Sequence, residues 1–512
     1  MSQRSGLWGI AGLGLLALGV GAMLVSSSLG AASAGTMGGN KPVNASGNDK
    51  GVIQAHNSPS LARNPTRPAN LAVANRIDTP NFSCALHVSF DGAASWQESK
   101  IPFPEGEELP ARCFAPEPAF GPDGTMFMSF VTLKGSGNTP NALWVTSSTD
   151  GGLTLSTPVR VSGPFAFQAR LVADPATPGR LYLTWLQSGG TSGLGFPNPG
   201  NPAVMSRSDD AGATWQPPVP VNGPSRQRAV SPSPAVGPKG EVHVLYLDLG
   251  GDSLDYHAGH EGKGGEPYPG TWSLVLATSS DRGATWRETV VDDKVVPTER
   301  FIVFEAPSPS VAVDPRNGRV YASFHDGRLG DTDVWVWASG DRGATFAAPK
   351  RVNDTPPGDG RSQSLPKLAV APDGRLDVLY YDRRSDPEDR FNEVSLQSSR
   401  DGARTFGPRL RLSDRAFDSR IGFGSERDMP DLGSRLALLS SKDGALAVWT
   451  DTRGGSDVAN KQDLAQAVVT ISDGSPLRKP LRPAGVALAV AGCLSLLAWA
   501  ATRRRRADAR GT

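Results

Sequence analysis

A chain of 512 residues with a formal net charge of +1 has no long-range field to draw it to nucleic acid, and no basic domain stands out before the extreme C-terminus, so nucleic-acid binding is excluded. Gly 59 and Pro 43 together make about a fifth of the residues while hydrophobic residues hold 38%. That balance favours many short strands and turns and excludes a helical bundle or a disordered chain.

At the N-terminus Arg4 precedes an apolar run from Leu7 to Val25, and small residues come after it, ending in Ala32-Ser33-Ala34 before Gly35. This three-part layout predicts a signal peptide over 1–34 and hence export of the remaining chain. An uncleaved anchor is the alternative reading of the same run and exports the chain equally. A linker is expected over 35–51. Cys84 and Cys113 are the cysteines of the expected exported portion; they are a disulfide candidate in an oxidising compartment, with two buried free thiols as the alternative.

From there one signature recurs: Ser89-Phe-Asp91-Gly-Ala-Ala-Ser-Trp96, then copies at Ser148 to Leu155, Ser208 to Trp215, Ser279 to Trp286, Ser339 to Phe346 and Ser399 to Phe406. Its aspartates, Asp91, Asp150, Asp210, Asp281, Asp341 and Asp401, stand 59, 60, 71, 60 and 60 residues apart, which is the mark of a repeat architecture. Chemically the signature is a hairpin turn: the carboxylate accepts backbone N–H groups, a glycine takes the left-handed position, and an aromatic packs beneath. Four short strands rich in β-branched and aromatic residues surround each turn, clearest at Pro309–Asp314, Arg319–Phe324, Asp333–Ala338 and Pro349–Val352. The expectation is an all-β propeller over 52–471 with four-stranded antiparallel blades, seven in number, or six if one unit is degenerate. The seventh unit has no signature and no fourth strand, and 51–55 is expected to supply the missing strand.

At the other end a Pro-rich linker over 472–483 leads into an apolar stretch at 484–501, followed by Arg503-Arg504-Arg505-Arg506. This predicts a C-terminal transmembrane helix with a basic cytoplasmic tail over 502–512, and therefore a single-pass cell-membrane protein with its propeller on the extracytoplasmic side.

The recurring signature is similar to the Asp-box, or BNR, repeat, so residues 52–471 resemble the sialidase-like propeller superfamily. That resemblance implies a glycan or polysaccharide partner and an exo-sialidase-type glycoside hydrolase acting on terminal acidic sugars. The same box occurs in propellers that hydrolyse nothing, which leaves a non-catalytic surface propeller binding glycan or protein as the alternative. Antiparallel order puts all six boxes on one face, and the site is expected in the loops of the opposite face. Those loops carry a repeated Asp-x-Arg after the second strand: Asp326-Gly-Arg328, Asp382-Arg-Arg384 and Asp451-Thr-Arg453. Arg328, Arg361, Arg384, Arg427 and Arg453 are the candidates for gripping an acidic sugar, or else members of blade-edge ion pairs. By the layout of sialidases, Asp326, Asp382, Asp386 and Asp389 become acid/base candidates. Ser364-Leu365 stands where that family carries an arginine, and the spacing picks out no tyrosine nucleophile. A long insertion in the fourth unit, with His257, His260, Glu261 and Glu266, reads as a rim loop because no helix fixes the histidines at ligand spacing; no metal or cofactor is expected.

Overall fold

Four-strand units built on short apolar runs cannot bury both faces alone, so each must stack on a neighbour. The computed structural model describes residues 35–471 apart from 38, 45–53, 109–110, 191–200, 227, 253–266, 299–305, 423–431 and 457–458, together with helical positions within 486–504. The chain divides into two units, 37–470 and the two ends beyond it.

The first unit is a propeller of seven antiparallel sheets. Blade I consists of His56–Arg63, Leu71–Ile77, Ser83–Ser89 and Gln97–Ser99. The innermost strand of each later blade is Cys113–Phe120, Ala166–Ala173, Ala229–Val236, Ser310–Val313, Gln363–Val370 and Ala437–Ser441 in turn. Each innermost strand touches the next around the full circle, the last against the first, so the sheets close into a ring. Blade faces pack on one another. Phe127, Val131 and Leu143 of blade II meet Leu171, Leu183 and Trp185 of blade III, and Leu245, Leu247 and Trp272 of blade IV meet Phe324, Trp335 and Trp337 of blade V. Second strands covered on both faces are therefore buried almost throughout, as in Val320–Asp326 and Leu376–Asp382, instead of alternating.

Blade VII has three strands of its own, Ala437–Ser441, Gly444–Asp451 and Asp463–Ile471. The closing strand is Lys41–Pro42, paired with the last of these in the register Lys41↔Gln466. It lies earlier than expected; Ala55 contributes only a parallel bridge to Gln462. The side chain of Asn44 secures the closure, accepting from the Leu464 N–H at 2.7 Å and donating to Asp463 at 2.9 Å.

All six signature turns join the third strand of a blade to the fourth, so antiparallel order gathers them at one end of the ring. In each, a serine hydroxyl donates to the aspartate (Ser89 to Asp91 at 2.8 Å, Ser339 to Asp341 at 2.7 Å), and a Thr or Ser four residues on donates both its N–H and its hydroxyl to the same carboxylate. These bonds favour the charged form: they hold Asp91 and Asp281 at about 2 and push Asp341 lower. The two residues after the aspartate are left-handed. At Gly283 (φ +85°) a Cβ would sit 1.8 Å from Met205 Cε, whereas Ala93 and Ala403 hold the same conformation at +74° and +67°, where an L-residue is strained.

Among the described residues, no helix is long and apolar enough to cross a membrane. This overturns the transmembrane helix expected at 484–501 and leaves a membrane partner without support. A span needs about 20 apolar helical residues, and the helical stretch described there, within 486–501, falls short.

Candidate functional site

The innermost strands are not regular. In five blades the pairing of first and second strands slips by a residue, between Asn57 and Ser60, Phe114 and Glu117, Phe167 and Arg170, Val230 and Ser233, and Ser364 and Lys367. At each slip a non-glycine residue is left-handed: Ser58 (+53°), Ala115 (+52°), Gln168 (+54°), Ser231 (+54°) and Leu365 (+50°). Gly433 (+77°) takes the equivalent place in blade VII. A bulge of this kind re-aims a side chain, and backbone strain that persists around a ring is held there by its surroundings. Two residues beyond each strained position stand Ser60, Glu117, Arg170, Ser233, Lys367 and Arg435; with Ser310 of blade V they line one cavity on the axis, of about 130 Å³.

The chemistry of this ring is unbalanced. Three cations, Arg170, Lys367 and Arg435, share the cavity with one carboxylate, Glu117. Glu117 Oε2 accepts from Ser60 Oγ at 2.7 Å and from Arg170 Nη1 at 3.1 Å, and lies 3.3 Å from Arg435 Nη2. Arg170 also donates to Ser308 Oγ at 2.6 Å, and Arg435 to the Pro116 carbonyl at 2.9 Å. Arg435 Nε is buried and has no hydrogen-bond partner. Burial acts to raise the Glu117 carboxyl, but Arg435, Arg170, the Ser60 hydroxyl and Lys367 together outweigh it and hold the group below its ordinary value. Burial lowers Lys367 to about 8 and Arg435 to about 9; the neighbouring guanidiniums push both the same way, and Glu117 opposes them. A second, smaller cavity shares Arg170, Ser308 and Arg435, so the two guanidiniums stand between two spaces on the axis.

The residues expected from the sequence lie elsewhere. Asp326, Asp382 and Asp451 each end a second strand and grip the arginine two positions on: Arg328 Nε is 2.9 Å from Asp326, Arg384 Nε is 2.7 Å from Asp382, and Arg453 Nε is 2.8 Å from Asp451. Each arginine also reaches an aspartate of the preceding blade, Asp292 in the strand Arg287–Val295, or Asp354 or Asp414 in the loop after the fourth strand. Arg328 is further stacked over Trp335, 4.9 Å from the ring centre. Asp382 accepts from Ser395 as well, at 2.7 Å. Asp386 caps a loop by accepting the N–H groups of Arg390 and Phe391 at 2.7 and 2.6 Å, and although burial acts against it, these amides hold its carboxyl below the ordinary value. Asp389 accepts from Ser362 N and Oγ, both at 2.7 Å. Arg361 is a loop residue anchored through its N–H to Asp331 and Asp359, with its Nε buried and unbonded. Arg427, His257, His260, Glu261 and Glu266 lie outside the described residues. Cys84 and Cys113 are bonded, with Cα atoms 5.7 Å apart, tying the third strand of blade I to the first of blade II. Tyr380 and Tyr381 are enclosed: Tyr380 bonds Gln397 at 2.6 Å, Tyr381 bonds the Thr450 carbonyl at 3.3 Å, and burial, the largest influence, pushes both hydroxyls far above their ordinary value. Among the described residues no cluster of His, Cys, Asp and Glu is arranged to hold a metal.

Sequence reasoning passes over the axial ring. Its signal is the short string in the innermost strands, Ser58-Pro59-Ser60, Ala115-Pro116-Glu117, Ser231-Pro232-Ser233, Ser308-Pro309-Ser310 and Leu365-Pro366-Lys367, in which the residue after proline changes chemistry from blade to blade.

No protein-family model and no curated relative matches the chain. Among solved structures it is similar to a protein of unknown function from Dyadobacter fermentans, at 16% identity over 86% of this chain and 99% of that one, TM-score 0.47. It is also similar to the Hadza microbial sialidase Hz136, at 15% identity over 79% of this chain and 74% of that one, TM-score 0.42. A third is the GH93 α-L-arabinofuranosidase of Fusarium graminearum, at 16% identity over 71% of this chain and 98% of that one, TM-score 0.44.

Proposed function

We propose that the chain is an exported propeller that binds glycans bearing an acidic group, taking that group on the axis with Arg170, Lys367 and Arg435, and that it works by binding and not by hydrolysis. The observation that carries the reading is the cation excess of the axial ring, three against one, with the Nε of Arg435 still unbonded. Guanidiniums favour carboxylates through planar, charge-assisted bonds. The Asp-box resemblance supports a saccharide as the carrier of that carboxylate, and the Cys84–Cys113 bond supports export.

Against hydrolysis stands the state of the candidate groups. A general acid must hold a proton near neutral pH, yet Asp386 is pulled the other way, and Asp382 and Asp389 are bound on two sides by their own loop and strand. A tyrosine nucleophile would have to ionise, which burial resists at Tyr380 and Tyr381.

The test is a glycan array probed with the propeller, paired with a fluorogenic sialoside. Retention of sialylated and uronic glycans over neutral ones, weakened at least tenfold in Arg435→Lys, together with no turnover, is expected. Equal retention of neutral glycans would end the acidic-group reading, and turnover lost in Asp382→Asn would end the binding-only reading.

A further inference from the structure

Lys367 is the member of the axial ring whose charged group makes neither a hydrogen bond nor an ion pair among the described residues, though it feels the charge of Glu117. Arg170, Arg435 and Glu117 hold one another, and Ser60 and Ser308 extend that network. The Lys367 ammonium makes no hydrogen bond and no salt bridge within the described residues, though its side chain lines the same cavity of about 130 Å³. Its backbone is fixed by the bulge at Leu365, whose N–H donates to His325 Nδ1 at 3.3 Å, and by the N–H of Leu368, which donates to Ser310 Oγ at 2.9 Å. The amine is therefore held in an enclosed space beside two guanidiniums suited to a carboxylate.

We infer that Lys367 is a carbonyl-reactive amine and that the axial cavity takes an α-keto acid, its carboxylate on Arg435 and Arg170 and its keto carbon against Lys367 Nζ. This rests on the reading of the axis as an anion site and goes beyond it, since simple binding needs no nucleophile. A lysine becomes nucleophilic when burial and adjacent cations favour the free amine, and both act here, bringing the group to about 8. In the step, Nζ loses a proton to water and its lone pair attacks the keto carbon. The carbonyl oxygen then takes up protons and leaves as water. Overall, ammonium and ketone give a protonated imine and one water, with the carbonyl oxygen departing with two of the nitrogen's three protons; no oxidant or reductant takes part. A carboxylate next to the carbonyl serves twice, by docking on the guanidiniums and by supplying negative charge beside the iminium nitrogen.

The experiment is borohydride trapping with the full chain. Pyruvate is added, sodium borohydride reduces any imine to a secondary amine, and intact mass with peptide mapping locates the adduct. The expected result is one adduct at Lys367, formed at least tenfold faster than with acetone, which lacks the carboxylate, and rising in rate as pH is raised from 6 to 8. Lys367→Met should abolish it, and acetate binding to the unsubstituted chain is measured in parallel by calorimetry. Acetate binding with no adduct at Lys367, or adducts spread over surface lysines at rates equal to acetone, overturns the inference and leaves the anion site standing. Failure of both acetate binding and trapping overturns the two together.

Discussion

The rim and the axis of this propeller use the same side chains in opposite ways. At the rim each arginine of the Asp-x-Arg repeat is enclosed by two aspartates, one from its own second strand and one from the preceding blade, as Arg384 is by Asp382 and Asp354. On the axis Arg170, Lys367 and Arg435 share a single carboxylate. The rim pattern recurs in three blades, whereas the axial position changes its chemistry from serine to glutamate, arginine or lysine around the ring. Charge that repeats with the fold is neutralised between its own strand and the preceding blade. Charge that differs between equivalent positions is left in excess on the axis, and the proposed anion site rests on that excess.

That contrast breaks first, if it is wrong, at Asp382. The side chain is wholly buried and bonded to Arg384, Ser395 and Arg409, and removing one partner of a buried pair costs about 3–5 kcal/mol because the other is left without a counter-charge. Asp382→Ala is expected to lose that much stability in urea while binding of acetate on the axis is unchanged. A stable variant that no longer binds would reverse the roles of rim and axis. The next effect is at Glu117. Glu117→Gln keeps the shape but leaves three cations facing one another, so a loss of about 2 kcal/mol is expected, accompanied by tighter binding of acetate in calorimetry. Weaker binding would mean that the carboxylate belongs to the ligand site and does not compete with it.

Lys367 is expected to act with the opposite sign. Its ammonium is enclosed beside two guanidiniums with no hydrogen bond or ion pair of its own, so Lys367→Met should raise stability at pH 7 by about 1 kcal/mol. The folded value of about 8 lies below the usual 10.5, so between these values the unfolded chain holds the proton and the folded chain does not. Stability of the parent protein therefore rises with pH across that window. The gap between parent and Lys367→Met, read from urea midpoints at pH 7, 8.5 and 10, should close; a constant gap would show that the amine is not held in a cation-rich site.

How far this contrast is legible in the sequence depends on its physics. The intervals between Asp91, Asp150, Asp210, Asp281, Asp341 and Asp401 reveal the blades because a turn is local: its residues bond one another within five positions. The Asp-x-Arg pairs draw attention for the same reason. The axial ring is assembled from seven strands, and which side chain faces the channel depends on a one-residue slip in register that no single blade announces. Arg170 and Arg435 therefore draw no attention in the sequence, whereas Arg361 and Arg384, standing in or beside loops, do. The apolar stretch at 484–501 misleads in another way: hydrophobicity alone reads as a spanning length of helix, and the helical positions there do not reach one.

The smallest expected effect concerns the boxes, the most local of these charges. Asp281 and Asp91 lie at about 2 because serine and threonine hydroxyls and backbone amides bond the ionised form. An aspartate whose folded value is depressed adds stability above the unfolded value near 3.9, and that contribution fades as pH falls through about 2. Across pH 7 to 4 the boxes should therefore add almost no pH dependence, whereas acidification from 4 to 2 should lower the urea midpoint progressively. Asp281→Asn keeps most of the turn's geometry and cannot titrate, so its midpoint should fall less steeply over that acid range while starting lower at pH 7. If its slope equals that of the parent protein, the acid sensitivity belongs to the buried rim carboxylates, and the boxes hold their turns by shape and not by charge.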